Sequence, residues 1–451
     1  MSLAQTIANK YLMLRTLFTK KASSGKTVAF MGFSSIFNSV MLMASGILVA
    51  RWILPESLGL FNSFNIITSY IILVQAGVPS GLSRELPFFM GRNEVSKAEE
   101  MAAVSNYWGL MLGGICMVLG ILGCIYFLFT KNYEYAAGSL VIGVTSFQAL
   151  YITKYIKVLY RSNNDFNKLS AIEIIGAVTA FASIVFVWKF GFYGLCMRAG
   201  LLCIVDFYFA FKWRPLKVGP RWNKKSFIAI MKVGMPIYWV ANVYGLMPIF
   251  QRTAILSLGG TKSLGLFTLS VVVDNAMGVL KNAISSNSFP KMAAAWAKGA
   301  SFMQLLKIPL KMIIFSILIS AGIAAVGWQV LPFFVQKFFP NYFEGVPAAQ
   351  WSLIAGCVGY ILVFSNVYMI IQKNVDRLFS FVTGIAAWLI SLFVLVKLNG
   401  YSLSIFPISM MVAYIFIFLV DVLNFKRYSR TVAPLSFEAT PDITDELNDV
   451  K

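Results

Sequence analysis

The sequence predicts an all-α integral membrane protein of about twelve transmembrane helices, arranged as two parallel six-helix lobes. Three observations predict it. The chain is 58% hydrophobic and only 12% charged, with a mean hydropathy of +0.74, whereas soluble domains carry about 25% charge. Its apolar runs repeatedly reach the ~20 residues that cross ~30 Å of hydrocarbon as a helix. Finally, Ser57-Leu-Gly-Leu-Phe61 returns letter for letter as Ser263-Leu-Gly-Leu-Phe267, 206 residues later. Each copy follows an Arg (Arg51, Arg252) and lies between two apolar runs, as an internal duplication would leave it.

The runs place helices at 27–50, 58–78, 101–129, 135–153, 170–188, 191–211, 228–251, 264–285, 305–333, 347–372, 378–396 and 401–424. They are continuous, unlike the ~10-residue alternating segments of a β-barrel. Loop charge sets their orientation. The two tails and every second loop carry 27 Lys and Arg, against six on the opposite side, so both termini are expected in the cytoplasm. The loop 212–227 is the longest polar connection, and its two Pro divide an N-lobe (27–211) from a C-lobe (228–424). Six helices per lobe is an even number, so both copies enter from the same side and the repeats are parallel. Residues 1–26 are basic, with Leu3, Ile7, Leu14, Leu17 and Phe18 near helical spacing, which fits either an amphipathic surface helix or an ordinary basic tail. Residues 425–451 form an acidic tail. No cleavable leader is expected: the first apolar run has no small-residue cleavage site behind it.

Several function classes are excluded. The chain has no His, which removes the commonest general base and metal ligand. The five Cys stand singly in apolar runs, without metal-ligand spacing. No catalytic constellation appears, and no metal or cofactor is expected. The net charge of +20 follows the topology and does not point to nucleic acid.

Ionisable residues inside helices are costly, which makes each a site candidate: Glu173, Arg198, Asp206, Lys232, Arg252, Asp274, Lys311 and Asp421. Asp274, near the middle of its run, needs a cation, a proton or an aqueous cavity. Arg198 and Asp206 share a helix, about 80° apart in azimuth, and can line one face. Glu173, Lys232, Lys311 and Asp421 lie near cytoplasmic ends, where solvated or snorkelling groups are ordinary. Helix seven carries Pro236 and Pro248, each of which removes a backbone donor and favours a kink, and also Asn242. The first helix of the first lobe carries Asn38 among several serines, and Asn275 follows Asp274. Such polar positions line a cleft or bond helix to helix. Arg51 and Arg252 close the first helix of each lobe on the far side, where positive-inside charge does not explain them. Arg84 and Lys281 follow the second helix of each lobe on the cytoplasmic side. A cleft rimmed by these cations attracts an anion.

Val49-Ala-Arg-Trp-Ile-Leu-Pro-Glu-Ser-Leu-Gly-Leu-Phe61 resembles the turn between the first two helices of polysaccharide transporters, and Gly77-Val-Pro-Ser-Gly-Leu-Ser-Arg84 and Ser288-Phe-Pro-Lys-Met292 are also similar to that family. The resemblance spans residues 27–424 and points to the O-antigen (Wzx-type) flippase branch of the MOP superfamily, whose relatives include MATE exporters and MurJ-type lipid II flippases. It implies a V-shaped bundle in a bacterial inner membrane. It also implies that undecaprenyl-pyrophosphate-linked oligosaccharide is turned between leaflets by alternating access, driven by an ion gradient. Polymerase and chain-length machinery and membrane lipid are the implied partners. Arg51, Arg252, Arg84, Lys281 and Arg198 become head-group candidates, Asp274 and Asp206 ion-coupling candidates, and Asn38, Pro236, Asn242 and Asn275 cleft-lining candidates. A MATE-like drug exporter is the alternative, with an acidic, aromatic site for cations. A membrane polymerase would need a large far-side loop, which the sequence lacks.

Overall fold

A computed structural model describes residues 24–431, and all regular structure among them is helical. The elements, in chain order, are α1 (Ser24–Trp52), α2 (Pro55–Leu73), α3 (Val78–Gly91), α4 (Val95–Phe129), α5 (Tyr133–Ser162), α6 (Phe166–Ala182) and α7 (Ile184–Lys212), then α8 (Lys224–Leu266), α9 (Thr268–Ala297), α10 (Phe302–Phe338), α11 (Pro340–Ile370), α12 (Asn374–Asn399) and α13 (Ile405–Thr431). Eight of them are long and apolar enough to cross a membrane, or ten if each of two bent pairs is one span. Of the expected tails, 24–26 belong to α1 and 425–431 to α13; the rest lies outside the described residues.

Every span turns large apolar side chains outward, among them Leu119, Phe129, Leu318, Phe333 and Phe393. Small and hydroxyl residues such as Ser34, Ser45, Ser146 and Ser320 are buried. This is the pattern of a bundle whose solvent is lipid, where helices associate by close backbone approach. Gly120 of α4 and Gly143 of α5 show the approach: a Cβ on either would press on the other's backbone.

Helix boundaries follow local chemistry. Pro55, Pro79 and Pro340 stand in the first turns of α2, α3 and α11, where the missing donor costs nothing. Ser301 and Gln304 form a capping box at the start of α10. Gly191 breaks α7 with φ 56°, a left-handed conformation that favours glycine. Gly194 then lies against the Phe186 carbonyl. Residues eight apart in one helix would be ~12 Å apart, so the chain turns back at Gly191, at the expected boundary between helices five and six. Gly260 (φ 72°) breaks α8 in the same way.

Three helices overrun their expected ends by nine residues or more. The eighth extends to Ala297, so the Ser288–Met292 motif lies inside α9, with Pro290 as an interior proline. The fourth runs on to Ser162 through a nine-residue π-helical stretch, Gln148–Ile156. The seventh passes through Arg252 to the break at Gly260. Hydropathy placed these ends too early because polar residues interrupt apolar runs that tertiary packing carries onward.

The chain forms two compact units. The first holds the described residues through Asn242 together with Arg252–Gly265, and the second holds Val243–Gln251 and the residues from Leu266 onward. In the first unit, Leu82, Leu86, Ile152, Ile156, Leu159 and Tyr160 form a core that joins α3, α4, α5 and α6. The expected inter-lobe connection 212–227 is fastened to this unit. Leu216 enters its core, Asn106 donates to the Val218 carbonyl (2.8 Å), and the Arg221 N–H donates to the Ala103 carbonyl (3.2 Å). In the second unit Tyr360 braces three helices: its hydroxyl shares a hydrogen bond with the Ser320 hydroxyl (2.7 Å) and donates to the Met277 carbonyl (3.1 Å).

The repeated pentapeptide makes a contact of its own. A Cβ on Gly59 would strike the Thr261 carbonyl, and a Cβ on Gly265 would strike the Pro55 carbonyl. At the 206-residue offset Pro55 corresponds to Thr261 and Gly59 to Gly265. The contact is therefore self-complementary, each copy's glycine resting on the residue two before the other copy's pentapeptide, as in an isologous interface. The Tyr70 hydroxyl, hydrogen-bonded to that of Thr253 (2.9 Å), further ties α8 into the first unit.

Candidate functional site

The polar interior of the first unit is built on α5 and α7. Asp206 of α7 receives the Lys157 ammonium (3.0 Å) and the Gln148 amide (2.5 Å), both from α5. The two side chains are 14% and 17% exposed, so the pair is largely buried and its charges match. Arg198, one face further along α7, donates to the Ala180 carbonyl of α6 (3.2 Å) and to the Ser45 hydroxyl of α1 (2.5 Å). Its guanidinium thus ties three helices together. No acid accompanies it in these bonds, so the interior retains its positive charge.

The second unit holds Asp421, fully buried. The Ser365 hydroxyl (2.5 Å) and the Tyr368 hydroxyl (2.9 Å) of α11 donate to it, and the Asn424 amide donates to that tyrosine oxygen (3.1 Å). The expectation that Asp421 is a solvated end group is therefore corrected. The last turns of α13 pack Phe425 and Tyr428 over it into a core with Tyr368, and water does not reach it. Sequence reasoning saw only its nearness to the helix end.

Lys281 is also displaced from its expected place. It does not follow the second helix of its lobe at the cytoplasmic rim; it lies within α9, thirteen residues from Thr268 and sixteen from Ala297. Its ammonium donates to the Tyr244 hydroxyl (3.4 Å), which in turn donates to Tyr414 (3.4 Å). Asp274, two turns earlier on the same face, is exposed and lies within electrostatic reach of Tyr414. The acid stands in the second turn of α9, six residues from Thr268, and not at the middle expected for it, while the base stands at mid-helix.

Arg51 ends α1 and is exposed. Arg252 is half-buried and stands eight residues before the break at Gly260, about 12 Å inside the helix rather than at its end. The two are not equivalent positions, since the repeat offset sets Arg51 against Ser257. Both belong to the first unit. Arg84 is exposed on α3, inside a helix rather than in a loop. Asn38 is half-buried, while Pro236 and Asn275 are exposed. Asn242 donates to the Tyr238 carbonyl (2.8 Å), the acceptor its own N–H would use in the helical ladder. The helix bends there, by 58° between Lys224–Val240 and Asn242–Leu266, between the two prolines expected to kink it. Glu173 is half-buried, and Lys232 and Lys311 are exposed.

A multi-pass helical bundle with charged groups held inside its spans defines a class of membrane protein. Known structures share its architecture: the fold is that of MATE transporters of the MOP superfamily. An inward-facing conformation of a multidrug resistance MATE family transporter matches with a TM-score of 0.73 at 16% identity, over 94% of this chain and 100% of its own. An outward-facing conformation matches at 0.60 and 15%, over 92% and 98%. A MOP superfamily transporter from Pyrococcus furiosus, described as having a binding pocket of reverse polarity that suggests a different function, matches at 0.58 and 14%, over 92% and 98%. No family model and no curated protein matches the sequence.

Proposed function

We propose that this protein is a flippase that moves a lipid-linked oligosaccharide with an anionic pyrophosphate head, of the undecaprenyl type, from the cytoplasmic to the far leaflet of a bacterial inner membrane by alternating access. The carrying observation is the sign of the charge within the spans. Asp206 is neutralised by Lys157 and Asp421 is held by hydroxyl donors. Arg198 is bonded to neutral oxygens only, and Lys281 lies at mid-helix beside a tyrosine. Cations without acid partners in a low-dielectric interior draw anions. The Pyrococcus furiosus relative of reverse pocket polarity supports this reading.

A MATE-like exporter of cationic drugs is the second reading, and the exposed Asp274 within α9 favours it. Reconstitution in proteoliposomes with a fluorescent polyprenyl-pyrophosphoryl saccharide separates the two. Under our reading wild-type protein moves the probe across the bilayer. Lys281→Gln lowers the rate at least tenfold, and Asp274→Asn acts mainly on its dependence on a proton or sodium gradient. Unchanged translocation after charge removal at Lys281, Arg51 and Arg252 together would sink the anion-path reading. Drug sensitivity of a deletion strain with normal surface polysaccharide favours the exporter.

A further inference from the structure

Two irregular helical stretches of the first unit face one cavity. The first is the break between α2 and α3, where Ala76 and Gly77 have φ of 55° and 78° and the two helices meet at 51°. The second is the π-helical stretch of α5. The cavity has a volume of about 10 Å³, room for about one oxygen-sized group. Gln75 enters it from the break, Ser105 and Trp108 from α4, and Lys154 and Tyr155 from the π stretch, with apolar walls between them.

Two of its polar atoms lack partners. Gln75 and Ser105 are each 3% exposed, and neither Gln75 Oε1 nor Ser105 Oγ has a hydrogen-bond partner. A buried polar atom left unpaired is destabilising, so two on one cavity point to an occupant. Lys154 makes no ion pair among the described residues. Hydropathy placed it in a loop, yet it stands eight residues inside the end of α5, about 12 Å from it. The charged groups around it are also cations: Arg161 on its own helix and Arg214 beside Tyr155, with Arg214 stacked 3.8 Å over Phe211. The remaining pair, Lys157 with Asp206, is already neutral.

We propose that Lys154, Ser105 and Gln75 form a binding site for a phosphoryl oxygen of an anionic ligand. The ammonium and the serine hydroxyl donate to it, and Gln75 Oε1, which only accepts, is within the same cavity to take a further N–H of the ammonium. A metal cation is repelled by Lys154, and water leaves that charge unmatched. The space holds about one oxygen-sized group, so a single phosphoryl oxygen enters it and the rest of the ligand stays outside. The ligand is the head of a pyrophospholipid, which rests on the function proposed above, or free pyrophosphate.

The test uses the purified full-length protein in detergent. Geranylgeranyl pyrophosphate, inorganic pyrophosphate and geranylgeraniol are titrated separately, read by the shift in thermal midpoint and by tryptophan fluorescence. Trp108 donates to the Gln75 carbonyl (3.2 Å) and reports the site; Trp108→Phe removes that signal. Geranylgeranyl pyrophosphate is expected to bind the wild type and the alcohol not to. Lys154→Gln weakens binding at least tenfold, Ser105→Ala several-fold, and Lys154→Arg largely retains it. Without ligand, Lys154→Gln keeps or raises the thermal midpoint, because it removes an unmatched charge, so loss of binding is not loss of fold. Equal affinity of Lys154→Gln and wild type, or no binding of either anion by wild type, overturns the site. Lys154-dependent binding of inorganic pyrophosphate without binding of the lipid upholds the site and removes the lipid-linked reading.

Discussion

Asp206 shows how the meaning of a charged residue depends on its partner. In the sequence it stands alone in an apolar run and reads as an ion-coupling group. In the structure it is one half of a largely buried pair with Lys157, and Lys157 counted as a loop residue because its helix was drawn too short. Removing one member of such a pair costs about 3–5 kcal/mol, while replacing both by apolar residues is often neutral or stabilising. Asp206→Leu alone should therefore lower the thermal midpoint sharply, and Asp206→Leu with Lys157→Met should recover most of the loss. Equal losses in the single and double variants would show that Asp206 serves something other than this pair. Lys154 and Lys281 carry the same lesson, since charge-counting places lysines in loops by default. They are half-buried because α5 runs on through a π-helical stretch and α9 continues past Lys281 to Ala297.

At the scale of elements, the duplicated pentapeptide was legible as a repeat, and its function as a contact was not. Gly59 and Gly265 each occupy the place where a side chain would push the partner backbone away. Gly59→Ala and Gly265→Ala should each cost about 1–3 kcal/mol through overpacking, read as a lowered thermal midpoint. Because both act on one two-fold contact, the double variant should fall well short of the sum. Full additivity would mean that the two glycines work independently. Sequence alone paired Arg51 with Arg252 across the same repeat. The structure separates them, because the first helix ends at the residue after Arg51 while α8 continues eight residues beyond Arg252.

For the whole molecule, each expected apolar run coincides with a helix, but eight of the helices, or ten with the two bent pairs, are long and apolar enough to cross a membrane, and the fold is that of the MATE structures. The orientation is checked by labelling. In a variant with its five native cysteines replaced, Gly219→Cys, in the basic connection, should react with a membrane-impermeant maleimide only after the cells are opened. Lys337→Cys, at the far end of α10, should react in intact cells. The reverse pattern would invert the topology and with it the direction of transport proposed here.

Length and apolarity by themselves determined that this chain is a helical membrane bundle and roughly where its helices lie, because crossing hydrocarbon as a helix is a one-dimensional requirement that each run meets alone; twelve spans were expected, and eight to ten helices meet that requirement. The tertiary structure decided which charges are spent and which remain available. Asp206 and Asp421 are matched by side chains from other helices, and Lys154 meets two unpartnered polar groups in one cavity. Electrostatic pairing acts over a few ångströms in three dimensions, between residues 49 and 56 positions apart for these two acids, and no pattern along the chain records it.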